Sequence, residues 1–223
     1  MNLIAKYSLK FNKELRIYTD DNSESPRDWG NSDIFLVYDH PNFYVEIEGY
    51  KPIDIYNYLY NNYENYKLNN YYIFTVYAYI HSGILLSLSH QGDKFDVSST
   101  GFILVDKNDF DFDLQRKHND ELKDLSDEEI AKYYANNLIT NWNNYLAGNV
   151  YRFELVNFKK YKKLYLFKNK EELSKDTFIE DTFIEEEVID SCGGFYSNDL
   201  QELLSYIDNK YITEEIKQIK TFN

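Results

Sequence analysis

The stretch Tyr71–Lys107, YYIFTVYAYIHSGILLSLSHQGDKFDVSSTGFILVDK, decides the fold. Tyr71 to Ile80 is dense in β-branched and aromatic residues, the composition of a pleated, largely buried strand. His81-Ser82-Gly83 is too short and polar to be anything but a tight turn. Ile84 to Ser89 then returns as a second strand, His90 to Ser99 is a polar loop, and Thr100 to Val105 is a third strand. Three consecutive strands predict an antiparallel meander centred on about 71–105.

Two helices are predicted to pack on that sheet. Pro52 to Lys67 places Ile55, Tyr56, Leu59, Tyr60, Tyr63 and Tyr66 at helical spacing, with Pro52 suited to a first turn. This aromatic stripe is expected to face the core. The second helix opens at Ser126-Asp127-Glu128-Glu129, a capping box in which the Ser hydroxyl and the Glu129 carboxylate satisfy reciprocal free N–H groups. It runs over about 127–146, with Ile130, Tyr134, Leu138, Trp142 and Tyr145 inward and Gly148 as its stop.

Working outward, Leu3 to Lys10 and Leu15 to Tyr18 are short strands around a turn at Asn12-Lys13. Thr19 to Ser32 is a loop that Trp29 pins to the body. Ile34 to Tyr38 and Phe43 to Ile47 are further strands. Val150 to Phe158 alternates as a strand, and Lys159 to Lys170 is a basic ribbon expected to pair with the protein's own carboxylates. Asp176-Thr177-Phe178-Ile179-Glu180 is repeated as Asp181-Thr182-Phe183-Ile184-Glu185, a duplication that lengthens a loop or strand end. Leu200 to Ile207 is a short helix, and Thr213 to Phe222 a final helix or strand. The whole is expected to be one α+β domain over residues 1–223, a length sufficient to bury a core.

Composition narrows the function. Of the 223 residues, 23 are Tyr and 15 Phe, so the apolar fraction of 43% is amphipathic rather than oily. Tyr, Asn, Ile and Lys are abundant together, as codons poor in G and C produce; an aromatic binding surface is the competing source. The net charge is −14, from 38 acidic and 24 basic residues. That field opposes direct contact with nucleic acid or anionic lipid and steers toward basic partners, including nucleic-acid-binding proteins. A single cysteine, Cys192, excludes an intrachain disulfide and suits a reducing compartment. No cleavable leader and no apolar window long enough for a membrane span are read, so a cytoplasmic location is expected.

Two sets of residues carry candidate chemistry. The first is the acidic run after the central strands: Asp106, Asp109, Asp111, Asp113, Asp120, Glu121, Asp124, Asp127 and Glu128, a source of charged contacts to a basic partner. Asp109, Asp111 and Asp113 alternate as on one side of an extended strand and could hold a hard cation, although the glycine and terminal Glu of an EF-hand loop are missing. The second set is enzymatic: His81, Ser82, His90, Asp96 and Cys192, with Asp93, Ser98 and Ser99 nearby. These are the residue types of a hydroxyl or thiol nucleophile with its base and carboxylate. Turns use the same residues for backbone reasons, and there is no nucleophile elbow, zinc spacing, P-loop or dinucleotide fingerprint. No cofactor or metal is expected.

Three segments, LRIYTDDNSESPRDW (15–29), HSGILLSLS with DKFDVSSTGFILV (81–105), and VYRFEL with EEVIDSCGGFYS (150–197), together resemble a family of accessory proteins encoded by bacteriophages and mobile elements of Gram-positive hosts. The family's motifs occur in this order and carry no known chemistry. Phe95 stands where Trp is usual, Ser23 where Pro is, and Thr100 where Val is. The resemblance implies an anti-defence role: an acidic phage protein that inhibits a host nuclease such as a CRISPR effector by occupying its basic nucleic-acid-binding surface.

Overall fold

The computed structural model describes residues 2–9, 11–28, 33–40, 43–45, 49–90, 97–167, 177–197, 204 and 217–221. The chain divides into two compact units: residues 24–149 form one, and residues 1–23 with 150–223 the other.

The unit spanning 24–149 is built on a five-stranded sheet in the order β4-β3-β7-β5-β6. Its strands are β3 (Ile34–His40), β4 (Phe43–Val45), β5 (Tyr71–Ile80), β6 (Ile84–Ser87) and β7 (Val97–Asp106). All pairings are antiparallel, so the central stretch forms the sheet predicted for it. β5 lies between β6 and β7, because the chain returns past β5 after the tight turn at 81–83.

Strand alternation sorts the apolar residues onto two cores. Ile103 and Val105 of β7, Leu36 and Tyr38 of β3, and Val76 and Ala78 of β5 pack under α3 (Asp127–Leu146) and α2 (Phe112–His118). Phe102 and Leu104, with Val37, face the other way onto Ile55 of α1 (Pro52–Tyr60) and Leu68. A sheet covered on both faces explains why β7 reads as a continuous apolar run, FILV. Gly101 allows this packing. It sits opposite Tyr38 in the register, and a Cβ there would press into the Tyr38 ring and lie 2.9 Å from the Val37 carbonyl.

α3 matches its sequence signature at both ends. Ser126 and Glu129 form the capping box, and Leu125 joins Ile130 in the same core. At the other end Gly148, at φ 74°, donates to the Tyr145 carbonyl while Asn149 donates to that of Asn144, a Schellman stop. α1 is shorter than the 52–67 predicted. Asn61 caps it and Asn62 takes a left-handed φ of 50°, a conformation Asn tolerates. The stripe expected to face the core is therefore split: Ile55 is buried, whereas Leu59, Tyr60, Tyr63 and Tyr66 are exposed.

The unit of residues 1–23 and 150–223 holds the second five-stranded sheet, order β10-β1-β2-β8-β9. Its strands are β1 (Leu3–Leu9), β2 (Lys13–Thr19), β8 (Val150–Phe167), β9 (Thr177–Tyr196) and β10 (Lys217–Thr221). Ala5, Tyr7, Leu15, Ile17, Phe153 and Leu204 form its core. β2 pairs with β8 only from Lys13–Asn157 to Thr19–Tyr151, whereas β8 and β9 stay paired out to Phe167–Thr177. Beyond Phe158 the hairpin is thus a two-stranded arm. Residues 159–167 of the basic ribbon lie in one strand of this arm, and the pentapeptide repeat from Thr177 onward lies in the other. One lysine of the ribbon pairs as expected, Lys159 Nζ lying 2.6 Å from Glu187; Arg16 of β2 also reaches β9, its Nη1 2.8 Å from Glu186. The terminal segment resolves as β10 from Lys217 to Thr221. The helix predicted at 200–207 lies outside the described residues except for Leu204, as does Trp29.

Candidate functional site

The acidic run is helical and turned, in place of the extended strand its alternation suggested. Asp106 ends β7 with its side chain 8% exposed; its Oδ1 accepts from the N–H groups of Asn108 (2.8 Å) and Asp109 (3.3 Å). Asp111 is the N-cap of α2, accepting from the Leu114 N–H at 2.8 Å. Asp106 and Asp111 thus each sit just ahead of the N–H groups they satisfy. Phe110 and Phe112, between them, are buried against Tyr72 and Tyr134.

Arg116 fastens the segment to α3. Its guanidinium donates to the Leu125 carbonyl from Nε (3.3 Å) and Nη2 (3.2 Å), pairs with Asp113 at 3.0 Å and contacts Asp127. Asp127 is the first cause of a raised Arg116 pKa. Glu129 is held below the usual carboxylate range by the Ser126 hydroxyl and then by its N–H. Asp120 pairs with Lys123 at 2.6 Å. Asp109, Asp111, Asp113 and Asp127 line a cleft of about 410 Å³ with Arg116 at its side. Four carboxylates, Asp109, Glu121, Asp124 and Glu128, are exposed and make no ion pair among the described residues. The segment is thus a capped ridge with a net negative face. No group of three or more His, Cys, Asp or Glu side chains among the described residues could hold a metal ion.

The enzymatic set is placed differently. His81 is exposed in the β5–β6 turn, stacked on Tyr79 with ring centroids 6.4 Å apart, and its N–H donates to the Gly83 carbonyl. Ser82 is exposed beside it. His90 is exposed and meets Tyr77 edge-on at 5.6 Å. Ser99 accepts the Tyr56 hydroxyl at its carbonyl, with Oγ 2.7 Å from the same oxygen. Asp93 and Asp96 lie outside the described residues. Cys192 is exposed on β9, in the other unit. Neither the 410 Å³ cleft nor the larger one described below is lined by any of these side chains.

The glycines beside Cys192 have a backbone purpose. The Gly194 N–H donates to Asp20 Oδ2 at 2.9 Å with φ 75°, and a Cβ on Gly193 would collide with that oxygen. Asp20 and DSCGGF, 174 residues apart, are two halves of one clasp. Sequence reading missed a cleft of about 680 Å³ in the same unit, lined by Leu9, Phe11, Lys13, Phe158, Lys160 and Ile184 among others. Its residues come from four strands and one turn, and no local motif announces it. The one local signal is Phe11, an aromatic where a turn prefers Asn or Gly.

Comparison with protein-family models, curated proteins and solved structures finds no match. No helix among the described residues is long and apolar enough to cross a membrane.

Proposed function

We propose that this chain is a phage-encoded acidic inhibitor that occupies the basic nucleic-acid-binding surface of a host defence nuclease, such as a CRISPR effector. The observation that carries the reading is the ridge from Asp109 to Glu128. Its carboxylates stand exposed on α2, on the first turn of α3 and on the turns around them; both helices are N-capped, and Arg116 of α2 donates to the Leu125 carbonyl just ahead of α3. Preorganised carboxylates can take the place of phosphates on a basic groove without a large ordering cost. The net charge of −14 adds long-range steering toward such a surface. Exposed Tyr60, Tyr63 and Tyr66 supply aromatic contact area of the kind that anchors interfaces.

The test measures binding to a purified RNA-guided nuclease, with and without its guide RNA, as a function of salt. Binding is expected at low salt, weakening steeply as salt rises and lost when the nucleic-acid channel is filled. Neutralising the four unpaired carboxylates together (Asp109→Asn, Glu121→Gln, Asp124→Asn, Glu128→Gln) is expected to weaken binding by about tenfold or more and to flatten the salt dependence. Unchanged affinity in that variant, or binding indifferent to the guide RNA, overturns the reading.

A further inference from the structure

β6 is the last strand of its sheet among the described residues, and its composition is wrong for an edge. An edge strand turns a row of N–H and C=O groups outward, where another chain can pair with them. Natural sheets blunt such edges with lysine, proline or inward-pointing charges. β6 has none of these. From Tyr71 to His90, through β5, the turn and β6, there is no Asp, Glu, Lys, Arg or Pro, in a chain of which 28% is charged. Ile84-Leu85-Leu86-Ser87-Leu88-Ser89 is apolar, uncharged and free of proline, the make-up of a segment that pairs with copies of itself.

A side chain of α3 takes up these backbone groups. The Leu86 N–H donates to Asn143 Oδ1 at 2.7 Å, and Asn143 Nδ2 donates to the Leu86 carbonyl at 2.9 Å. The N–H and C=O of one residue in an antiparallel strand point to the same side. With both engaged by Asn143, those of Leu86 face away from β5. The two bonds are the pair that a residue of an added strand would make. Within β6 only Ile84 alternates to the same side as Leu86, so filling Leu86 leaves no two successive outward residues for a ladder.

The chemistry of the carboxamide suits this use. It carries a donor and an acceptor on one short branch, whereas an ionised Asp only accepts. Packing holds it in place: Trp142 beside it and Ile139 one turn earlier are buried in the core that also contains Leu86. The Asn143 backbone stays helical, its carbonyl accepting from the Ala147 N–H at 3.0 Å. Asn is a poor helix former because its side chain competes for nearby backbone groups. Here that capacity is directed at the backbone of a strand 57 residues away.

We propose that Asn143 is an edge guard: its side chain stands in for a further strand at Leu86 and keeps β6 from pairing with β6 of a second copy of this chain. The guard replaces the charged residues that the strand lacks. It also leaves the outer side of β6 uncharged, so the protection rests on one side chain of α3 and is lost with it.

The test replaces the guard in the full chain and reads two quantities. Asn143→Leu keeps the branched shape, favours the helix and removes both bonds. Hydrogen exchange at the Leu86 amide, followed by NMR, is expected to quicken by about tenfold, the loss of one hydrogen bond. Sedimentation velocity is expected to show concentration-dependent self-association beyond that of the wild-type chain. Asn143→Ala, which removes the same bonds without adding volume, should do the same and serves if the Leu variant does not fold. Leu85, half-exposed on β6, provides the control for mechanism. Adding Leu85→Lys to Asn143→Leu should suppress the self-association, as a charged edge does, without restoring protection at Leu86. Asn137→Ala, exposed on the same helix, should change neither quantity. The proposal is overturned if Leu86 exchanges at the wild-type rate in both Asn143 variants, or if its exchange quickens while self-association stays at the wild-type level. It is also overturned if Leu85→Lys leaves the added association intact, because the contact would then lie elsewhere than on β6.

Discussion

Gly101 and Gly193 are the positions where a single atom decides local structure. Each lies against a side chain brought from a distant segment, the Tyr38 ring in one case and the Asp20 carboxylate in the other. Gly101 has the backbone of Val37 behind it and cannot relax by moving a flexible chain end. Gly101→Ala is expected to cost about 2 kcal/mol or more, as overpacking in a filled core does. Gly83→Ala, where nothing lies within 4 Å, should be near neutral. Chemical denaturation of the two variants side by side checks this; equal midpoints would mean that Tyr38 moves aside at no cost. Neither role could be read along the chain, because both depend on contacts between residues far apart in sequence.

The elements differ in how openly the sequence declared them, and the reason is where their information lies. α3 was legible to the residue, because its cap, staple and Gly148 stop are local devices. Ser126→Ala should remove the N-cap bond to Glu129 and cost about 1 kcal/mol, measured as a lowered thermal midpoint. Ser126→Asp should restore most of it, since Asp is an equally good cap. The end of α1 was misread because Tyr63 and Tyr66 continue a helical spacing that the Asn61-Asn62 pair interrupts. The aspartates were misassigned to a strand because their alternation hides Asp111 as a helix N-cap and Asp113 as the partner of Arg116 within one short helix. Strand identities in the central sheet were legible from composition, whereas the length of the β8–β9 arm was not. Lysine-rich and glutamate-rich sequences become strands there through cross-strand charge pairing, such as Lys159 with Glu187.

Across the molecule, ionisation sets limits to stability at both ends of the pH scale. Glu186, paired with Arg16, and Glu129, bonded by Ser126, ionise below their ordinary value of 4.5. A depressed carboxylate contributes stability that is present above that value and lost as pH falls through its lowered folded value. Tyr71 is pushed well above 10.0 by burial first and then by its bond with Tyr50; Tyr7 and Tyr134 are raised chiefly by burial. Their contribution is complete below the ordinary value of 10.0 and lost as pH rises through the raised one. Thermal midpoints followed by circular dichroism should therefore form a plateau between about pH 5 and 10 and fall on both sides. Tyr71→Phe should extend the alkaline shoulder; an unchanged shoulder would assign the loss to other groups.

The order of the chain in the two units sets a timetable for synthesis. β2 is made early, but its partner β8 begins only at Val150, after the entire unit of residues 24–149. At ribosomal rates of about 5–20 residues per second, β2 waits on the order of ten seconds for its neighbour. The inserted unit has all its strands and helices in hand by then. It can fold while the first hairpin still lacks its sheet, so the nascent chain carries an unpaired β2 edge until the ribosome delivers β8.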